Sequence, residues 1–204
     1  QQLPGSREAV YTAHDMLREA AVSRSHNSDE SLFQQVQKGR RDAFAALVER
    51  YQQPAYGVAL RLLGRRQDAE DAVQQAFLRL YEARATYDSR RRFSTWFYRI
   101  LTNACVDELR RRRPMVSLEE WHEPEAEGPD HSVERSERER VLQAALARVP
   151  VEARIVLTLY YGNGLGYREI GAVRGTSMNT VKTHLRRGRL ALRKALRARG
   201  MNES

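Results

Sequence analysis

Residues Gly164–Lys194 read GLGYREIGAVRGTSMNTVKTHLRRGRLALRK. Tyr167–Val173 has the apolar spacing of a short helix. Gly175 suits a left-handed residue just past its end. Ser177 suits the cap of whatever follows. From Met178 to about Leu196, the residues Val181, Leu185, Gly188 and Leu192 fall on one face of a long helix, leaving Lys and Arg on the others. A short helix, a glycine turn and a long basic helix form the helix-turn-helix outline. There the second helix enters the major groove and its first turns reach base edges. With Val181 and Leu185 turned inward, Asn179, Thr180, Lys182, Thr183, His184, Arg186 and Arg187 are the candidate DNA-reading residues. Arg can bond a guanine edge bidentately, whereas Lys and Thr more often take phosphate. Arg189, Arg193, Lys194, Arg197 and Arg199 extend the positive surface and would add salt-sensitive affinity. The bland alternative is a three-helix bundle with a solvated basic face.

Upstream, Val141–Val149 reads as a helix ended by Pro150, and Ala153–Tyr161 as another, broken by Gly162, Gly164 and Gly166. These helices and the helix-turn-helix make one small domain, 135–197, with a tail at 198–204. Before it, 114–134 is poor in aliphatics, contains Pro114, Pro124, Gly128 and Pro129, and holds seven acids with no Lys or Arg. Such a stretch reads as a flexible acidic linker.

A second helical domain is expected over 29–113. Leu32, Phe33 and Val36 fit a short helix stopped near Gly39. Phe44, Leu47, Val48, Tyr51, Ala55, Val58, Ala59 and Leu62 recur at helical steps, with Pro54 expected to kink or divide them and Gly64 to end them. Ala69–Tyr81 repeats the pattern, with Asp68 in the cap position. Arg92–Arg113 is a fourth helix, closed by Pro114. Strand-type alternation is absent, so the fold class is all-α, two small helical domains on one tether. Residues 1–28 form an N-terminal extension in which Ala9–Ala21 fits a short helix. That extension is expected to be mobile.

The fourth helix carries an unusual mixture. Phe93, Phe97, Ile100 and Ala104 share a core face, while Trp96, Arg99, Asn103, Asp107 and Arg110 fall on an adjacent one. An aromatic beside Arg and Asn suits unpaired bases, which stack and offer edges. Core packing of Trp96 is the equally simple reading. Arg110–Arg113 is either a phosphate clamp or a charged helix end that complements the dipole. On the preceding helix, Glu70, Asp71, Gln74 and Gln75 surround an exposed surface. Carboxylates near a helix start favour the dipole, and a docking surface for a basic protein partner is the second reading.

The 204 residues carry 35 Lys+Arg against 26 Asp+Glu, a net charge of +9. The excess is local: 90–113 has eight Arg against two acids, and 168–199 has ten Lys/Arg against Glu169 alone. This distribution favours a polyanionic partner. No run approaches the ~18 apolar residues of a membrane span, so a soluble, cytoplasmic protein is expected. Cys105 is the single cysteine, which leaves no disulfide framework and no CxxC metal site. No P-loop, HExxH or GxSxG appears. Neither a cofactor nor a catalytic group is expected, and the chain reads as a non-enzyme.

Three segments in order resemble the extracytoplasmic-function (group IV) bacterial sigma factors. They are DAEDAVQQAF (Asp68–Phe77), FSTWFYRILTNACVDELRRR (Phe93–Arg112) and the Gly164–Lys194 stretch. The resemblance covers about 30–113 and 135–196. It implies a transcription initiation factor that binds core RNA polymerase through its largest and second-largest subunits and directs it to promoter DNA. An anti-sigma factor is a candidate further partner. By the same resemblance, Asp68, Glu70, Asp71, Gln74 and Phe77 lie at or near the polymerase clamp helices. Arg91, Arg92, Phe93, Thr95, Trp96, Arg99, Asn103 and Arg110, with the preceding loop at about Arg84–Arg90, hold the opened −10 strand. The residues from Asn179 to Arg187 named above read the −35 duplex, and the acidic linker threads polymerase channels. Gly171 and Arg174 stand where the family usually has Ala and Leu, so Arg174 is expected either to loosen the turn or to face DNA. His184 and Arg186 also depart, which bears on the −35 sequence read rather than on the class. The competing assignment is a helix-turn-helix response regulator or autoinducer receptor, whose terminal domain shares a run like Thr180–His184. It requires an α/β domain upstream, where only helical periodicity is found.

Overall fold

A computed structural model describes residues 28–112 and 137–198. The expectations for 1–27, for the acidic linker, for Arg113 and for Arg199 lie outside the described residues. Within them every regular element is helical. The order is α1 (Asp29–Gln37), α2 (Arg41–Leu63), α3 (Arg66–Glu82), a 3-10 turn (Ala83–Thr86), α4 (Phe93–Arg111), α5 (Glu137–Ala147), α6 (Val151–Leu157) running into a π-type turn (Thr158–Gly162), α7 (Tyr167–Arg174) and α8 (Met178–Arg197).

Apolar periodicity explains why these segments are helices and which face each buries. The stripe of α2 is Leu47, Tyr51, Ala55, Val58, Ala59 and Leu62, all buried. It passes Pro54 without a break, so that proline does not divide the helix. Buried residues before and after it hold both halves on one core, and such packing outweighs local propensity. Gly64 ends α2 in the left-handed region at φ 83°. The next helix starts at Arg66, two residues before the expected cap, so Asp68 sits in its first turn, where a carboxylate still suits the dipole.

Helices α2, α3 and α4 pack on one another, and α1 covers α2 and the start of α4. Their core is strongly aromatic. Phe33 meets Tyr87 and Phe93 at 5.1 Å and Trp96 at 5.2 Å, and Tyr51 meets Phe97 at 5.0 Å. Asp29 of α1 accepts from the Tyr51 hydroxyl and pairs with Arg50. Burial, then the Asp29 carboxylate, raises the Tyr51 phenol far above its ordinary value.

In the C-terminal group α6 and α7 both pack on α8. Gly175 adopts φ 64° and Ser177 accepts from the Thr180 amide, as the turn chemistry requires. Gly171 has a separate reason to lack a side chain: a Cβ there would lie 2.8 Å from the Thr176 carbonyl oxygen. The two groups share one continuous apolar core, with α2 touching α5 and α6 and with α4 touching α7.

Cys105 is fully buried on α4. Burial in apolar surroundings disfavours the thiolate and pushes its pKa up to about 12. Since the thiolate is the reactive form, a disulfide reagent at pH 8 should label native protein negligibly and the urea-unfolded chain completely. Fast stoichiometric labelling of the folded protein would contradict this burial.

Candidate nucleic-acid interface

The long basic helix α8 exposes Asn179, Lys182, Thr183, Arg186 and Arg187, with Thr180 and His184 half-buried. Val181 and Leu185 seat it on the core. The Thr180 amide is consumed by the Ser177 cap at 3.1 Å, and the Thr183 hydroxyl donates to the Asn179 carbonyl at 3.0 Å. Three cations, Lys182, Arg186 and Arg187, remain on the outward side of the first three turns. That surface can neutralise phosphates and, through a planar guanidinium, engage a base edge. Further along, Arg189 lies over the Tyr161 ring at 5.6 Å.

Just ahead of α4, Arg91 and Arg92 are exposed; on α4 itself Arg99, Asn103 and Arg110 are exposed, while Thr95 and Trp96 are half-buried. Phe93 is completely buried and offers no surface for direct contact, so its part is to fix the helix start. Trp96 belongs to both readings given to it. Its ring packs on Tyr87 at 4.9 Å and edge-on to Phe33, yet part of it stays at the surface beside Thr95 and Arg99. Ahead of the helix, Arg90 and Arg91 pair with Asp88. The guanidinium of Arg90, with its amide, holds the Asp88 carboxyl below the usual carboxylate range.

On α3, Glu70, Asp71 and Gln74 are exposed, and Leu78 beside them is 55% exposed. Asp68 is half-buried and pairs with Arg112. Phe77 is 8% exposed and faces the aromatic core, meeting Phe97 at 5.1 Å. It therefore supports this surface rather than presenting itself on it. A shallow groove between α3 and α4 is lined by Asp71, Gln75, Arg79, Asp107, Glu108 and Arg111. Arg79 spans it to Asp107 at 2.9 Å.

Several −10 candidates are already engaged by the C-terminal group. Glu169 pairs with Arg92 and also caps α7, accepting from the Gly166 amide at 2.8 Å. Arg174 donates to Glu152 at 2.8 Å, to Thr102 at 3.2 Å and to Asn103 at 3.2 Å. Neither expectation for Arg174 holds: its side chain bridges α6 and α4 instead of loosening the turn or facing outward. Asn163 donates to the Tyr98 hydroxyl at 2.9 Å. Local pattern gives no sign of these contacts of Glu169, Glu152 and Asn163, because the partners involved lie 22 to 77 residues away. The departure at position 174 was the one local signal.

Comparison with known proteins gives concordant results. The Sigma-70 region 2 family matches residues 47–114 and the Sigma-70, region 4 family matches residues 139–192. The ECF RNA polymerase sigma factor SigW of Bacillus subtilis is 37% identical over 80% of this chain and 94% of its own length. The RNA polymerase sigma-H factor of Pseudomonas aeruginosa is 33% identical over 84% of this chain and 95% of its own. Among solved structures, CnrH in complex with the cytosolic domain of CnrY aligns at TM-score 0.64 and 26% identity, over 83% of this chain and 97% of that one.

The Arg174 bridge generates a specific expectation. Arg174→Ala should leave the helical content intact but loosen the packing of α7 on α4. Amide hydrogen exchange should quicken by about 3- to 10-fold at that contact, the bridge to Glu152, Thr102 and Asn103 being worth about 1 kcal/mol where solvent screens it, and stay unchanged within α3.

Proposed function

Because the chain belongs to the extracytoplasmic-function sigma factors of bacterial RNA polymerase, a transcription initiation factor that directs the core enzyme to promoters, we propose a division of that task among its surfaces. Residues 29–113 dock the polymerase and handle the −10 element. Residues 135–197 read the −35 duplex, and 114–134 tether the two. The protein acts in the cytoplasm and performs no catalysis of its own: it supplies binding energy and the polymerase supplies the chemistry. The observation that carries this reading is the separation of surface chemistry by helix. Exposed carboxylates and amides sit on α3, Arg and Asn beside a half-exposed Trp on α4, and outward cations on α8.

Each surface suits its target. Glu70, Asp71 and Gln74 on α3 offer acceptors to basic side chains of a protein, an arrangement that sets register and encounter rate. Trp96, Arg99 and Asn103 offer a ring face and hydrogen-bonding edges to bases that have left the duplex. Lys182 and Thr183 take phosphates of the −35 element while Arg186 and Arg187 reach toward base edges. Two modest DNA sites joined on one polymerase gain by effective concentration. An anti-sigma factor is a further partner in this reading, in line with CnrH, which is solved with the cytosolic domain of CnrY. The response-regulator assignment lacks its α/β domain among the described residues.

The direct test is runoff transcription from a promoter library with purified core polymerase, with and without this chain. Site-selective transcripts should appear only when it is present. The double variant Asp71→Arg, Gln74→Ala should abolish both stimulation and co-elution with core polymerase while leaving thermal unfolding unaltered. Retained co-elution would remove α3 from the docking surface. Arg187→Ala should cost roughly 1–3 kcal/mol at a single −35 base pair and relax preference there. An even loss across all promoter variants would make it a phosphate contact instead.

A further inference from the structure

We propose that Glu30 and Gln37 of α1 are positioning residues for promoter opening: they clamp the two ends of the Arg84–Phe93 segment and so preset the surface that receives the −10 strand. The inference rests on the reading that this segment and the start of α4 hold that strand. Helix α1 itself lies before the region 2 match, which begins at residue 47.

Both contacts reach across the fold. The Gln37 amide nitrogen donates to the Arg84 carbonyl at 2.9 Å and to the Tyr87 carbonyl at 3.1 Å. An amide NH2 has two hydrogens to give, and both are used to hold the 3-10 turn that opens the segment. Two turns earlier on the same face, the Glu30 carboxylate accepts from the Phe93 amide at 2.9 Å. That amide is one of the orphan donors at the start of α4. The residue in the cap position, Arg92, supplies no side-chain capping bond. Glu30 therefore does from a distance what a local Ser or Asp would do. Between the two clamps, Phe33 fills the space under Tyr87, Phe93 and Trp96. The Tyr87 hydroxyl donates onward to the Arg91 carbonyl at 2.6 Å.

The physical purpose of such a clamp follows from what the segment carries. Arg90, Arg91 and Arg92 are consecutive, exposed cations. Asp88 and Glu169 offset only part of their mutual repulsion, and an irregular segment holding them would sample many conformations. Ordering it only upon strand binding would subtract from affinity and blur base selection. Fixing its ends in advance moves that cost into folding, and it places the supporting contacts on a rigid helix behind the binding surface. A carboxylate behind the arginines also offsets part of their charge without occupying their outward side.

The test uses the full chain assembled with core polymerase. The probes are forked promoter fragments with a duplex −35 element and a single-stranded −10 segment, varied one base at a time. Gln37→Leu and Gln37→Glu should each flatten base discrimination in the −10 segment by about 3- to 10-fold, the loss expected for one or two hydrogen bonds. Glu30→Ala should do the same, whereas Glu30→Gln should restore discrimination, since its amide oxygen can still accept from Phe93. Core polymerase affinity and −35 preference should not move. Arg90→Ala with Arg91→Ala is the reference for the segment itself. If that pair flattens the −10 profile and the α1 variants do not, the positioning role is overturned while the underlying reading stands. If the Arg pair leaves the profile intact, the reading falls and the inference with it. Equal losses at −10, at −35 and in polymerase binding would reduce Glu30 and Gln37 to general stability. Should Gln37→Leu fail to fold, the Glu30→Ala and Glu30→Gln comparison decides alone, because it separates acceptor chemistry from side-chain volume.

Discussion

The last turn of α2 leaves its final carbonyls without helical partners, as every helix must, and in this protein that end is buried. Side chains from three other parts of the chain supply the donors, with Gln143 shared between the Leu60 and Arg61 carbonyls. The Leu60 oxygen accepts from the Gly64 amide and from Gln143, Leu62 from Arg154 at 2.7 Å, and Leu63 from Arg112 at 3.1 Å. Two guanidiniums thus converge on the negative end of a helix dipole. Arg154 is only 3% exposed and also donates to the Ala147 and Val149 carbonyls. Burial lowers its pKa to about 10, which still leaves it charged at neutral pH. A cation so placed costs several kcal/mol to desolvate and persists because carbonyls surround it. The meeting point of α2, α4, α5 and α6 is therefore fixed by an electrostatic requirement as much as by apolar burial.

This constraint orders the contacts between the two helical groups by strength. Arg154 is a deep tie whose loss would strand three carbonyls. The outer ties, Arg92 with Glu169 and Arg174 with Glu152, have at least one well-exposed partner. Exposed pairs are worth about 0–1 kcal/mol and weaken with salt. Arg92 and Asn103 are thus held by contacts that an incoming phosphate backbone can exchange at little cost. The outward cations of α8 need no such exchange. Of the two surfaces proposed to meet DNA, one is presented directly and the other is presented through a weak internal competitor.

Periodicity made the helices legible, and turn chemistry made the helix-turn-helix legible, because both are local. Gly175 and Ser177 act within three residues of where they stand. Exposed charge on α8 was readable for the same reason: once Val181 and Leu185 define the inward side, the outward side is geometry. What local pattern leaves unread depends on packing and partners elsewhere in the fold. Pro54 does not split its helix, because residues on both sides of it share one core. Arg154 carries no local signal of its role, and its acceptor on Leu62 lies 92 residues away. Arg174 signalled itself only as a departure from the family pattern, and nothing local pointed to Glu152 or Asn103.

Trp96 shows why one kind of ambiguity belongs to the sequence itself. At 100° per residue it falls at the seam between the face of Phe93 and Phe97 and the face of Arg99 and Asn103. A seam position is half-buried whichever function it serves, and an indole, apolar in body and polar at one edge, is stable there without a ligand. What turns such a seam into a site is rigidity around it. Tyr87 and Phe33 brace the ring from below, and both are held by α1, through the Gln37 bond to the Tyr87 carbonyl and through Phe33's own place on that helix. In the proposed reading, the capacity of α4 to receive a splayed base rests on a helix that carries none of the chemistry, through bonds that span 47 to 63 residues. Local pattern alone could nominate the tryptophan, but only the fold supplies the support that gives its exposed edge a fixed direction.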